Sequence, residues 1–267
     1  MSDEFPQELQ AWKPTCSADI FGMRFRTRRL LQEFFGKQGY LEVETPLLSH
    51  DVVVDSHLEP FAVHTGNKTL PMYLQTSPEA AMKRLLAAGS GSIYQVTRSF
   101  RQGESGTRHN PEFTMLEWYG VESTYHDQMD LTEQLIHFLV KRLTTFDHYR
   151  HKQKLLPWLA DSCMKQPFAS STYDEAFRSA LGRTVLDATI TDLRLLVVNN
   201  VDGMQVDQLP NDRDALLNLL LAECVEPNLG IEQPEFLFDY PISQAALAEQ
   251  NPHDDRTACR FELYCNG

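Results

Sequence analysis

The sequence predicts an α+β domain in which a sheet is flanked by helices and further helices are inserted late in the chain. Two long segments, one from Ser17 or Asp19 to around Gly36 or Gly39 and one from Asp127 to about Leu143, carry apolar residues near helical spacing. The stretches "SIYQVTRSF" and "EFTMLEWYG" have strand character and flank one long charged loop. Strand character returns in "EFLFDYP" and "CRFELY" after a run of helical patterns, and sheet and helices in that order belong to the α+β class.

In chain order, Ser17 or Asp19 caps the first helix, whose apolar residues Phe21, Phe25, Leu30, Leu31, Phe34 and Phe35 end near Gly36 or Gly39. "YLEVETP" follows as a short alternating strand, with Leu41 and Val43 on one side and Glu42 and Glu44 on the other, stopped by Pro46. "MYLQTSPEAAMKRLLAAG" reads as a strand to Gln75, a cap at Thr76 or Ser77, Pro78 at the first helical position, Glu79 in the positive first turn and Gly89 as the stop. "GSGS" at 89–92 lacks the lysine of a phosphate loop and reads as the turn after that helix. A third helix runs from Asp127 to about Leu143, and 148–169 reads as an irregular connection. Thr172 with Glu175 forms a capping-box signature for a helix to about Leu181, and two more helices are expected at 192–198 and 213–225. The expectation is one compact domain over 1–267 with a helical insertion at about 150–230.

A net charge of −13 argues against a broad phosphate-binding surface, so neither tRNA nor DNA is an expected partner. Arginines nevertheless bunch at 24–29 and at Arg98, Arg101 and Arg108, which leaves room for a local anion site. The five cysteines are scattered without Cys-x-x-Cys spacing, and His148 and His151 lack helical context and a carboxylate, so no zinc site is expected. No apolar segment is long enough for a membrane span and the first residues lack secretory character; a soluble cytoplasmic protein is expected.

The loop "FRQGESGTRHNPEF" is either a solvated hairpin tip or a phosphate site. Phosphoryl chemistry needs a guanidinium beside the phosphate, a partner to hold it and an aromatic face for a base; Arg101, Glu104 and Phe113 supply those types. "FRQGESGTRHNPEFTMLEWY" resembles motif 2 of class II aminoacyl-tRNA synthetases, in the version shared by lysyl-tRNA synthetases and their truncated paralogues. The first helix with "GYLEVETPLL" is similar to motif 1, and "TSPEAAMKRLLAAG" to the lysine-family segment before motif 2. Motif 1 begins almost at once, without the anticodon-binding barrel that precedes it in lysyl-tRNA synthetases. "LEWYG", "VEPNLG" and "FDYPISQAALA" further resemble the tRNA-independent paralogue family that modifies elongation factor P.

The resemblance implies a class II synthetase-like antiparallel sheet flanked by helices and a homodimer. It implies activation of (R)-β-lysine with ATP and Mg²⁺, and transfer to a lysine ε-amine of elongation factor P. Arg101 then holds the α-phosphate and substrate carboxylate, Phe113 stacks on adenine, and His109 and Asn110 lie at the nucleotide end of the loop. The family commonly has Arg-x-Glu, whereas here Arg101 is followed by Gln102, Gly103 and Glu104, so Gly103 takes the usual glutamate position and Glu104 is assigned to the adenine side. Ser77, Glu79, Glu117 and Tyr119 surround the substrate, whose two ammonium groups need charge-assisted acceptors on losing water. On the residues alone these four read first as a cap, a helix-dipole residue, a solvent-facing strand residue and a core aromatic.

The resemblance stops at "RFELYCNG", before the family's acidic metal-ligand strand and its motif 3 arginine. No residue of this sequence is therefore assigned to a metal, and the 267-residue chain is expected to lack adenylation activity. A lysine-activating synthetase fragment and a noncatalytic class II-like binding module are the alternatives.

Overall fold

The computed structural model describes residues 16–53, 58–64, 66, 70–107, 109–143 and 167–267. Arg108, Cys163, His148, His151 and the first part of the expected insertion lie outside the described residues. The chain divides into two compact units, Met1–Ser123 with Lys141–Phe146, and Thr124–Val140 with Asp147–Gly267.

In the first unit, helix α1 (Ala18–Lys37) buries only its C-terminal half, through Leu31, Phe34 and Phe35. Phe21 and Phe25, expected in its apolar stripe, are 50% and 63% exposed. The difference has a local cause: Phe35 stacks on Tyr94 with ring centroids 4.5 Å apart and leans on Trp118 at 5.6 Å, which anchors only the end of the helix. Gly39, at φ +79, takes the left-handed turn after the helix. β1 (Leu41–Glu42) is shorter than the alternating stretch suggested, although the Val43 N–H still donates to the Tyr94 carbonyl at 2.9 Å.

β1 runs parallel to β5 (Ile93–Phe100), and β5 pairs antiparallel with β6 (Glu112–Tyr119) in unbroken register from Ile93↔Tyr119 to Phe100↔Glu112. A second small sheet joins β2 (Leu48–Ser49), β4 (Met72–Leu74) and β3 (Ala62–Val63) in that order. Helix α2 (Glu79–Ala87) follows β4. Pro78 stands one position earlier than expected, at the cap rather than inside the first turn. After α2, Gly89 and Gly91 adopt φ +88 and +76, as the turn reading of "GSGS" requires.

Helix α3 (Tyr125–Leu143) links the two units in sequence. In the second unit β7 (Ala169–Thr172) lies parallel to β8 (Glu235–Pro241), which pairs antiparallel with β9 (Thr257–Tyr264). The expected antiparallel sheet is thus replaced among the described residues by three small sheets, two of them mixed. The connections from β1 to β5 and from β7 to β8 are long enough to return in the same direction, which hairpins cannot do.

Helices α4 (Tyr173–Leu181), α5 (Ile190–Asn200) and α6 (Arg213–Leu220) separate β7 from β8. α4 opens on the expected Thr172–Glu175 capping box and stops at Gly182, φ +68. α5 begins before Asp192 because Thr189 and Asp192 form a second capping box. After Leu220 the helix widens into a π turn over Leu221–Val225. Phe177, Leu193, Val197, Leu217 and Leu237 are among the residues that build this unit's core. A bulge between Phe238 and Tyr240 puts Asp239 at φ +57, where its carboxylate accepts a 2.8 Å bond from the Tyr125 hydroxyl. Among the described residues no helix is long and apolar enough to cross a membrane.

Candidate active site

The β5–β6 hairpin separates two chemistries by its alternation. Tyr94, Arg98, Thr114 and Trp118 share one face. There Phe35 packs on Tyr94, and Arg24 and Arg98 both donate to the Thr114 hydroxyl, at 2.8 and 3.1 Å. Arg98 also pairs with Glu112 at 3.5 Å. Arg98 and Arg101, bunched in the sequence, therefore do not share a site: Arg98 meets Thr114 and Glu112, Arg101 meets the Thr76 carbonyl and Phe113, and Arg108 lies outside the described residues.

Gln95, Ser99, Phe113, Glu117 and Tyr119 share the other face, with Gln95 and Ser99 almost fully buried. Arg101 leaves β5 at its end, its backbone N–H donating to the Pro111 carbonyl at 2.9 Å to close the loop. The Gln102 N–H bonds to the Glu59 carbonyl at 2.8 Å, and Gly103 turns the chain at φ +85. That left-handed turn, cheap only for glycine, brings Glu104 back to the Arg101 guanidinium at 3.5 Å. The same guanidinium donates through Nε to the Thr76 carbonyl at 3.4 Å and stands 5.1 Å from the Phe113 ring centroid.

The acidic half of the group lies further along β6 and on α2. The Tyr119 hydroxyl donates to Glu117 Oε1 at 2.6 Å, a short charge-assisted bond. Burial pushes the Glu117 carboxyl above its ordinary range and Glu79 adds to the effect, while Tyr119, Lys83 and Arg101 oppose it. Burial and the adjoining carboxylate push the Tyr119 hydroxyl up as well, so it stays a donor at neutral pH. Glu79 begins α2, its N–H donating to the Ser77 hydroxyl at 3.3 Å and its carboxylate meeting Lys83 at 2.7 Å.

The structure therefore gathers Ser77, Glu79, Arg101, Glu104, Phe113, Glu117 and Tyr119, with Gly103 as the turn that brings Glu104 to Arg101. His109 and Asn110 are exposed, and His109 contributes its backbone carbonyl to the Gly106 N–H at 3.0 Å. Two members of the group were not singled out from the sequence. Lys83 is legible as an i, i+4 partner of Glu79. The Thr76 carbonyl carries no side-chain signal, because a backbone acceptor is available at every residue.

The group thus combines a guanidinium over an aromatic ring, a loop carboxylate that pairs with it, one buried carboxylate on the hairpin face and a second carboxylate from α2. The family model for "tRNA synthetases class II (D, K and N)" matches residues 9–267, and the chain belongs to that family.

More particular relatives share most of the chain. A Vibrio cholerae protein named elongation factor P–(R)-β-lysine ligase is 40% identical over 260 residues, covering 96% of this chain and 73% of its own length. Ligases of the same name from Vibrio vulnificus and Salmonella gallinarum are 38% and 39% identical over 260 and 264 residues, covering 96% and 97% of this chain and 73% and 74% of theirs.

Proposed function

We propose that the protein is an ATP-dependent ligase that activates (R)-β-lysine as an adenylate and transfers it to a lysine ε-amine of elongation factor P. The observation that carries this reading is the placement of Arg101 over Phe113 on the same hairpin face as the Glu117–Tyr119 pair, with Glu79 facing it. The relatives' names support the choice of substrate and acceptor.

Arg101 neutralises charge as a substrate carboxylate oxygen attacks the α-phosphorus of ATP and the bond to pyrophosphate breaks. The attacking carboxylate is already ionised at neutral pH, so positioning and charge stabilisation suffice. Phe113 offers its face to adenine, Glu104 restrains Arg101, and His109 and Asn110 line the nucleotide end of the loop. Glu79 and Glu117 accept from the two substrate ammonium groups, Tyr119 aims Glu117, and Ser77 holds the start of α2. In the second step the ε-amine attacks the adenylate carbonyl carbon, AMP leaves with the bonding pair, and the amine proton passes to solvent. Among the described residues no three His, Cys, Asp or Glu side chains form a ligand set for Mg²⁺.

The exposed Phe21, Phe25, Leu41 and Leu47 on α1 and the segment after it support a homodimer through this face. The acidic balance favours a reaction without tRNA. ATP–pyrophosphate exchange tests the reading, run with (R)-β-lysine and with lysine on this chain and on the protein as naturally encoded. Exchange that depends on (R)-β-lysine supports it; exchange with lysine alone points to a synthetase, and exchange with neither in the naturally encoded protein refutes it.

A further inference from the structure

Lys83 sits one helical turn after Glu79, and its ammonium is 2.7 Å from Glu79 Oε1. The buried residue of α2 is Met82, while the Lys83 side chain is 42% exposed, so packing does not account for the lysine. The charge balance of the site does. Three carboxylates, Glu79, Glu104 and Glu117, face two cations, Arg101 and Lys83. One negative charge is left over, the complement of a diamino monocarboxylic acid with its single net positive charge.

Resting on the reading of this pocket as the (R)-β-lysine subsite, we propose that Lys83 is a positioning residue for the substrate. It fixes one oxygen of Glu79, leaves the other open to a substrate ammonium group, and offsets the repulsion between Glu79 and Glu117. The groups that face Glu117 are Tyr119 on its own strand, Gln95 opposite on β5, Glu79 and Lys83 from α2, and Arg101 from the loop. Removing the Lys83 charge leaves only Tyr119 and Arg101 to oppose Glu79, so Glu117 holds its proton to higher pH and the acid limb of substrate binding moves up with it.

Calorimetric titration of (R)-β-lysine onto the whole chain from pH 5 to pH 8 tests this with Lys83→Met, Lys83→Arg and Glu79→Gln. Lys83→Met is expected to weaken binding about fivefold at pH 7, and more at pH 6, with Lys83→Arg recovering most of both effects. Wild-type affinity and pH profile in Lys83→Met would overturn the proposal. So would tighter binding, which would make Lys83 a competitor of the substrate. Lys83→Gln is read by the same outcomes if Lys83→Met does not fold. If Glu79→Gln binds (R)-β-lysine like the wild type, the subsite reading itself falls. If Glu79→Gln loses binding while Lys83→Met keeps it unchanged, only the role of Lys83 falls.

Discussion

Glu117→Gln should make the unliganded protein more stable at neutral pH while removing much of its affinity for a diamino substrate. The replacement keeps the shape of the side chain, and its amide oxygen can accept the 2.6 Å bond from Tyr119. It removes a charge that burial and Glu79 disfavour more than Tyr119, Lys83 and Arg101 favour. The sign follows from the raised carboxyl. The folded state binds the proton more tightly than the unfolded state, so this group's stabilising contribution is complete below the unfolded carboxyl range and is lost as pH rises through the folded one. The glutamine has no such loss. Its advantage should therefore grow as pH rises from the ordinary glutamate range through the higher folded one, then level off. Relief at a functional site is commonly worth about 1 kcal/mol, or roughly 3 °C in melting temperature for a protein of this size. Binding moves the other way: losing one charge-assisted acceptor costs about 1.5–3 kcal/mol, or roughly 10- to 150-fold in affinity for (R)-β-lysine. Thermal unfolding at pH 4 to 8 and calorimetric titration at pH 7 measure the two effects. A variant less stable than the wild type at pH 7, or an advantage that shrinks as pH rises, would refute the argument.

Three further outcomes are expected. Arg101→Ala, in the protein as naturally encoded, should lower (R)-β-lysine-dependent pyrophosphate exchange by about a hundredfold or more, because it removes the cation beside the transferring phosphate; unchanged exchange would count against the site. Phe25→Glu combined with Leu41→Glu should shift sedimentation toward monomer without lowering the melting temperature much, since both side chains are exposed in the single chain; a wild-type protein already monomeric at micromolar concentration would remove the dimer reading. Gly230→Ala should destabilise the second unit by about 2–4 kcal/mol. Gly230 lies at φ +66, and an added Cβ would press on the Tyr264 carbonyl oxygen, 2.6 Å from its carbon and 2.9 Å from the Cys265 nitrogen. A melting temperature within a degree of the wild type would contradict that geometry.

Local chemistry carries much of this protein in its sequence. The 18–37 helix, the β5–β6 hairpin and the Thr172–Glu175 box were legible because each depends on residues a few positions apart. The second box was missed because aspartate, rather than glutamate or glutamine, fills its third position at Asp192. The residue types of the site, an arginine, an aromatic and paired acids around one loop, were legible for the same local reason, and motif order extended them into a family reading. Spatial partners were not. The parallel pairing of β1 with β5, the exposure of Phe21 and Phe25, and the separation of Arg98 from Arg101 each depend on which surface meets which. So does the Thr76 carbonyl as a second partner of Arg101, whereas its pairing with Glu104 follows the sequence reading. A periodic pattern states that a stripe or face exists; only the packed structure, where every candidate neighbour competes for the same apolar area and hydrogen bonds, decides which part of it is buried and against what.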